Sequence, residues 1–294
     1  MRNLLAADWV RFGHRLDLRL LIALVPVILA IMFVSDFNSV TTPPSAVQNV
    51  GSSDPAEEAA MRAQADAERL EEFHQRLVTE LPAFAFPASL VKVAGNFAPI
   101  VLLAIYLTTA LVAGEFEWGT VRTIHLTSSR SRVLAVRVAV VVGLMGVVVA
   151  IGLLFGAILP FLLSVEGRPL QDYAAPLPDL LSELGIRLAV VLPFIAIPVL
   201  MAILARAIGA AFLLTLLFFV ADLALTGAPF WPSSPTPWVP ALTIAGSMTR
   251  LLGGSQTPLA SLAPAWVSFG ALIAWAAVPV ILAIARFRRL DLNE

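Results

Sequence analysis

The chain has 294 residues, of which 59% are hydrophobic and only 13% are charged, and its formal net charge is −1. Soluble domains carry about 25% charged residues, so a soluble globule of this composition would expose large apolar patches, and a disordered chain would need far more charge. Because the sequence contains no cysteine, disulfides, thiol catalysis and cysteine-ligated metals are excluded. The composition therefore predicts an all-α, polytopic membrane protein.

The predicted elements begin with an interfacial (elbow) helix over residues 1–17, because its large apolar side chains fall on one stripe beside a charged stripe. A helix needs about 20 mostly apolar residues to cross a bilayer. Six transmembrane helices are predicted on this basis, at 18–34, 97–113, 138–163, 188–205, 207–226 and 265–285. Only Arg206 separates the fourth from the fifth, so these two form either a tight hairpin or one broken unit.

Two connections between the spans are long. The 35–96 loop contains Asp54-Pro55, a good helix start, and it predicts a helix over 54–79. That helix covers an outer mouth, contacts a partner or is a solvated spacer. The 227–262 region is rich in proline and tryptophan and predicts an outer re-entrant or interfacial segment, since its apolar part is too short to span.

Charge asymmetry predicts the orientation. With six crossings, every arginine-rich connection falls on one side, which the positive-inside rule makes the cytoplasm. The 35–96 loop on the opposite side is acidic. We therefore expect one transmembrane domain, 1–294, in the inner or plasma membrane, with both termini cytoplasmic. A cleaved signal peptide over 1–35 is the competing interpretation, but no Ala-x-Ala site follows Val34.

Few residues suit chemistry within this chain. There is no phosphate-binding Gly-x-x-x-x-Gly-Lys loop, and the three histidines lie far apart in sequence. We therefore expect no catalytic, cofactor or metal site. Asp222 is an ionisable group inside a predicted span, where it lines a polar path, binds a cation or reaches the interface. Pro193 and Pro198 predict a kink in the fourth span, which suits either a path-lining helix or ordinary packing.

The cytoplasmic segment 114–131 mixes acids, arginines and apolar side chains such as Trp118. It predicts a short helix, broken at Gly119, that either inserts into a groove on a soluble partner or forms a solvated inner turn. The residues expected to take part in such coupling are Glu115, Glu117, Trp118, Gly119, Thr120, Arg122, Ser129, Arg130 and Arg137.

This segment resembles the signature of permease subunits of the ABC-2 transporter family. That family has a Glu at the end of the second span, then Gly-Thr-x-Arg, Pro-x-Ser-Arg or a similar sequence, and a basic residue seven further on. The matching residues here are Glu115, Gly119, Thr120, Arg122, Ser129, Arg130 and Arg137. Thr127 and Ser128 replace the family's proline, and Arg137 replaces its lysine. The six-span layout and the initial surface helix extend the resemblance over the whole chain.

The resemblance implies an exporter-type permease subunit that pairs with an identical or related second permease and with a dimer of ABC ATPase subunits, which bind ATP and Mg²⁺. Residues 1–17 and 115–130 would receive the ATP-driven movement. Membrane lipid is the remaining expected partner, and nucleic acid is not expected. Two alternatives stay open: a secondary transporter driven by an ion gradient, and a membrane scaffold or sensor that uses the 35–96 loop.

Overall fold

The computed structural model describes residues 16–43, 55–95, 97–117, 130–165, 167–176, 179–227, 239–252 and 264–289. In these residues the chain forms ten α-helices and one short antiparallel hairpin. The helices are α1 (Leu16–Thr41), α2 (Pro55–Glu80), α3 (Ala88–Gly95), α4 (Phe97–Glu117), α5 (Arg130–Leu162), α6 (Leu180–Val190), α7 (Pro193–Ala205), α8 (Ile208–Thr226), α9 (Ile244–Leu252) and α10 (Ala265–Arg289). The strands are β1 (Ser164–Val165) and β2 (Arg168–Pro169).

Six helical runs in the described part of the chain are long and apolar enough to cross a membrane: Arg19–Thr41, Ala98–Glu117, Arg132–Leu162, Leu180–Ala205, Ile208–Thr226 and Ala265–Arg289. This confirms the predicted all-α, polytopic membrane protein. A pair of helical stretches, Ala59–Ala83 and Ala88–Gly95, passes the same test only when joined, and the two meet at 90°.

Apolar outward faces agree with a lipid environment. On α8, Leu213, Leu217 and Leu223 are 57, 55 and 64% exposed. Water would penalise such a continuous apolar face, whereas lipid tails do not.

Several helices run beyond the predicted spans. Helix α1 continues to Thr41, past the predicted end at 34, and α5 begins at Arg130, before the predicted start at 138. Hydropathy stops at the first charged side chains, but a helix continues as long as its backbone hydrogen bonds do. At the end of α1 the hydroxyl of Thr41 also donates to the carbonyl of Phe37 at 3.0 Å.

The fourth predicted span consists of two helices. Helix α6 ends at Val190 and α7 begins at Pro193, whose ring leaves no N–H for the carbonyl of Ala189. The amide of Leu192 donates to that carbonyl instead, at 3.1 Å. The predicted kink is therefore a break between two helices at Pro193, and Pro198 lies buried inside α7.

Helices α7 and α8 form the tight hairpin. Arg206 ends α7 in the left-handed conformation, with φ 57°, and its amide donates to the carbonyl of Ala202 at 3.0 Å. Ala207 is then extended and α8 begins at Ile208. The aromatic rings of Phe194 and Phe219 lie 4.4 Å apart between the helices, so α7 and α8 run antiparallel side by side.

The chain divides into two compact units. The larger takes in the described residues of Met1–Pro26, Ala94–Ile151 and Leu181–Glu294. Helix α7 is its central element, packed against α4, α8 and α10, and it is apolar all round. One end of this unit contains what we call the basal cluster, formed by Val112, Ala113, Leu134, Val199, Ala202, Ile203, Ala211, Ala283 and Phe287.

The smaller unit takes in the described residues of Val27–Val93 and Gly152–Leu180. Its buried centre is Phe84, which the rings of Phe33 and Phe37 meet edge-on at 5.4 and 5.7 Å. The ammonium of Lys92 lies 4.1 Å from the centre of the Phe84 ring and 3.6 Å from the carboxylate of Asp36. The long 35–96 connection is therefore structured over much of its length.

Within that connection, α2 at Pro55–Glu80 occupies the place of the helix predicted at 54–79. In the 227–262 region, the described residues form a 3-10 turn at Val239–Leu242 followed by α9. Nearly all of the predicted interfacial helix at 1–17, and most of the 114–131 segment, lie outside the described residues.

Candidate functional site

An ion pair joins α4 and α5, the helices on either side of residues 118–129. The carboxylate of Glu115, in the last turn of α4, lies 2.8 Å from the guanidinium of Arg137 in α5. Arg137 also donates to the carbonyl of Leu111, one turn before Glu115, at 2.9 Å. Glu115 is 8% exposed and Arg137 is 6% exposed. The pair therefore fastens α5 to the last two turns of α4.

Burial determines what this ion pair contributes. Removing either charge from a buried pair leaves the other charge desolvated, which costs about 3–5 kcal/mol. Replacing both charges by apolar side chains of similar volume is often neutral. Glu115 and Arg137 thus fix the geometry of the two helices, and they do so without offering charge at the surface.

A second contact starts from the same end of α4. A carboxylate oxygen of Glu117 accepts a hydrogen bond from the backbone amide of Ile208 at 3.1 Å. Ile208 is the first residue of α8, and the side chain of Ala207 before it provides no cap. Glu117 therefore caps α8 from a different helix, at the end where the helix dipole favours negative charge.

The basal cluster surrounds these contacts with apolar packing from α4, α5, α7, α8 and α10. Beside it, the rings of Phe116 and Phe287 meet edge-on at 5.9 Å. The ends of α4 and α7, the starts of α5 and α8 and the end of α10 are thus held together as one support. The residues that lie between α4 and α5 are attached to this support at both ends.

Of the predicted coupling residues, Glu115 and Arg137 contact each other. Glu117 lies in the same last turn of α4 and contacts the start of α8. Arg130 is the first residue of α5. The others, Trp118, Gly119, Thr120, Arg122 and Ser129, lie outside the described residues.

At the other end of α8, Asp222 caps a helix. Its two carboxylate oxygens accept hydrogen bonds from the amides of Ile244 and Ala245, at 3.0 and 2.8 Å. These are the first two residues of α9, and the amide of Gly246 donates to the hydroxyl of Thr243 at 3.0 Å. Asp222 is 9% exposed. The carboxylate thus satisfies two of the amides that every helix leaves free at its start.

Further hydrogen bonds hold the turn that precedes α9. The hydroxyl of Ser247 donates to the carbonyl of Ala241 at 2.8 Å, and that of Ser268 donates to the same carbonyl at 3.3 Å. The indole N–H of Trp275 donates to the carbonyl of Leu242 at 2.9 Å. Helix α10 therefore supports the turn from one side while α8 supports α9 from the other.

The turn that precedes α9 lines an open pocket of about 310 Å³ together with α8 and α10. The rings of Phe218 and Trp275 meet in it edge-on, with centroids 5.6 Å apart. Its main lining residues are Phe218, Ala221, Asp222, Leu225, Leu242 and Trp275. We call it the Asp222 pocket. It is apolar apart from the Asp222 carboxylate and the Thr243 hydroxyl.

The two prolines predicted in the fourth span occupy different places. Pro193 begins α7, and Pro198 is buried inside that helix. Among the described residues, no group of His, Asp and Glu side chains has the arrangement of a metal site. No family model and no curated protein matches this chain.

Sequence reasoning did not find the pocket residues Phe218 and Trp275 or the capping partners of Asp222. A signal was present for Asp222, since Asp222 and Arg250 are the two charged residues between 207 and 285. The partners could not be found in the same way, because backbone amides leave no pattern in a sequence.

Proposed function

We propose that this chain is the membrane-spanning subunit of an ATP-driven exporter of the ABC-2 type, whose energy comes from separate ATPase subunits. The observation that carries the proposal is the set of contacts made by the helices that flank residues 118–129. The Glu115–Arg137 pair and the Glu117 cap connect both flanks of that segment to α8 and the basal cluster. A force applied to the segment by a partner would reach several spans together.

The resemblance of residues 115–137 to the ABC-2 signature supplies the nature of the partner. An ATPase dimer would bind ATP and Mg²⁺, since this chain carries no phosphate-binding loop of its own. A second permease copy, identical or related, would complete the translocation path.

A cytoplasmic position for the 118–129 segment is part of the proposal. Basic residues at two helix ends favour this position. Arg206 ends α7, and Arg286, Arg288 and Arg289 lie in the last turn of α10. The ends of α7 and α10 that carry these basic residues pack beside the end of α4, which carries Glu115 and Glu117. The positive-inside rule expects such basic residues at a cytoplasmic face. We accordingly propose that the protein lies in the inner or plasma membrane with both termini in the cytoplasm.

Orientation is tested by single-cysteine labelling, because the natural chain has no cysteine to remove. Arg132→Cys and Arg289→Cys should react with a membrane-impermeant maleimide only after the cells are opened. Asp172→Cys, predicted on the outer side, should react in intact cells. All three positions are exposed. Labelling of Arg132→Cys in intact cells would contradict the proposed orientation.

Function is tested by co-expressing the chain with the separately encoded ATPase that copurifies with it, and measuring ATP hydrolysis and export in proteoliposomes. Arg122→Ala should reduce export per ATP hydrolysed while leaving the subunits associated with the membrane. Arg132→Ala is the matched control, an exposed arginine on α5 outside the ABC-2 signature. Absence of any copurifying ATPase, with transport that follows an ion gradient instead, would overturn the proposal.

A further inference from the structure

The Asp222 pocket has walls suited to an organic cation. Phe218 and Trp275 present aromatic side chains, and Leu225 and Leu242 add aliphatic surface. Aromatic faces attract cations through their negative quadrupole. A volume of about 310 Å³ lies at the small end of ligand pockets, so the pocket suits a compact ligand.

The charge at the pocket is negative. Asp222 is its one charged lining residue among the residues that the structure describes. The undescribed neighbouring residues 228–238 and 253–263 contain no charged side chain in the sequence. The other charged residue between 207 and 285, Arg250, lies in the last turn of α9, at the end opposite the amides that Asp222 caps.

The capping role of Asp222 leaves its carboxylate able to bind a cation. A carboxylate has about four lone-pair positions, and the amides of Ile244 and Ala245 use two of them. The start of a helix carries about half a positive charge, which offsets only part of the carboxylate's full negative charge. An inorganic ion such as Ca²⁺ would need six or more oxygen ligands, which these apolar walls do not offer.

We propose that the Asp222 pocket binds an organic cation, namely an ammonium or quaternary ammonium group attached to a small apolar body. The positive group sits at the Asp222 carboxylate and against the Phe218 and Trp275 rings, and the apolar body fills the space beside Leu225 and Leu242. Binding by the isolated chain requires neither an ATPase nor transport, so this inference stands apart from the proposed function.

Two sources of such a cation are chemically equivalent at the pocket: a free organic cation and the ammonium of a phospholipid headgroup. The probe for the test is tritiated benzyltrimethylammonium, measured by equilibrium dialysis against the purified full chain in the uncharged detergent dodecyl maltoside. We expect saturable binding with one site per chain. No saturable binding would overturn the proposal.

Variants at the pocket locate the site. Asp222→Asn should weaken binding by at least about tenfold, because the ion pair is lost. Asn has one acceptor oxygen and cannot reproduce both hydrogen bonds to the amides of Ile244 and Ala245. Ala221→Phe therefore provides a second route, since it fills the pocket and leaves the carboxylate unchanged. Its matched control is Ala224→Phe, at an exposed position on the same helix outside the pocket. Equal binding by Ala221→Phe and Ala224→Phe would overturn the proposal.

The aromatic wall gives an independent comparison on α10. Trp275→Leu should weaken binding several-fold, whereas Trp266→Leu should not, because Trp266 is 75% exposed and lies outside the pocket. Repeating the dialysis in nanodiscs of phosphatidylglycerol, with and without phosphatidylethanolamine, distinguishes the sources. Displacement of the probe by phosphatidylethanolamine identifies a lipid ammonium as the occupant, and undiminished binding identifies a free cation.

Discussion

Arg137 of α5 reaches across to α4 and holds Glu115 at 2.8 Å, with both side chains almost fully buried. The resemblance includes the two residues among those that couple to an ATPase, and both side chains are internal in the structure. A partner that docks on the 118–129 segment is influenced by them only through the helices that they fix. They are therefore positioning residues for the proposed coupling segment.

Breaking this ion pair should destabilise the larger unit. Glu115→Ala leaves the guanidinium of Arg137 buried without its carboxylate, and we expect a loss of about 3–5 kcal/mol. The double variant Glu115→Leu/Arg137→Met should recover most of that loss, because neither charge then remains buried. Thermal unfolding of the purified chain in detergent measures both effects.

The control for that experiment is a second Glu–Arg pair. Arg76 and Glu80 lie one turn apart on α2, with 2.9 Å between their charged atoms, and their side chains are 51 and 43% exposed. Glu80→Ala should change stability by less than about 1 kcal/mol. If the double variant at Glu115 and Arg137 were as unstable as Glu115→Ala, the unpaired charge would not be the cause.

The cap that Glu117 provides should be measurable at the start of α8. Glu117→Ala removes the acceptor for the amide of Ile208, a loss comparable to that of an N-cap, about 0.5–2 kcal/mol. Glu117→Gln retains a side-chain oxygen and should lose less. Hydrogen exchange at Ile208 should accelerate in Glu117→Ala, whereas Glu80→Ala, which removes an exposed carboxylate from α2, should leave it unchanged. Unaltered exchange in Glu117→Ala would contradict the cap.

The membrane architecture could be predicted from sequence because hydropathy acts along the chain. Apolar runs identify six spans, and Arg206 marks the boundary between the fourth and the fifth. The roles of individual polar side chains could not be predicted in this way. Glu115, Glu117 and Asp222 look alike as isolated acids near span ends, yet the first forms a buried ion pair and the other two cap helices distant in sequence. Such partners depend on packing, which local patterns do not encode.

Glycines on α5 provide a comparison of packing within one helix. A Cβ at Gly156 would lie 3.1 Å from a methyl of Val93 and 3.2 Å from the carbonyl of Ser89. The hydroxyl of Ser89 donates to the carbonyl of Gly156 at 2.6 Å. Gly156→Ala should therefore destabilise the smaller unit by about 1–3 kcal/mol, as overpacking does.

Gly146 is the matched position, because a Cβ there would meet nothing within 4 Å. Gly146→Ala should leave stability unchanged or raise it by up to about 1 kcal/mol, since alanine favours a helix over glycine. The melting temperatures of the two purified variants are compared directly. Equal destabilisation by both would show that the close contact at Gly156 is not what matters.

A single added methyl group should also disturb the start of α9, as it should at Gly156. A Cβ at Gly246 would overlap the backbone carbonyl of Pro240, which cannot move aside as a flexible side chain can. Gly246→Ala should therefore push α9 away from Asp222 and weaken the hydrogen bonds to Ile244 and Ala245. Hydrogen exchange at these two amides should accelerate by about tenfold or more, since each bond to a charged group contributes about 1.5–3 kcal/mol.

Gly270→Ala on α10 is the control for this experiment, because a Cβ there would meet nothing within 4 Å. It should leave exchange at Ile244 and Ala245 unchanged. Asp222→Asn should accelerate exchange at one or both amides without adding volume, which separates loss of the cap from steric displacement. If both amides exchanged as slowly in Gly246→Ala as in the natural chain, the prediction would be wrong. Asp222 would then not hold the start of α9 against the turn at Pro240.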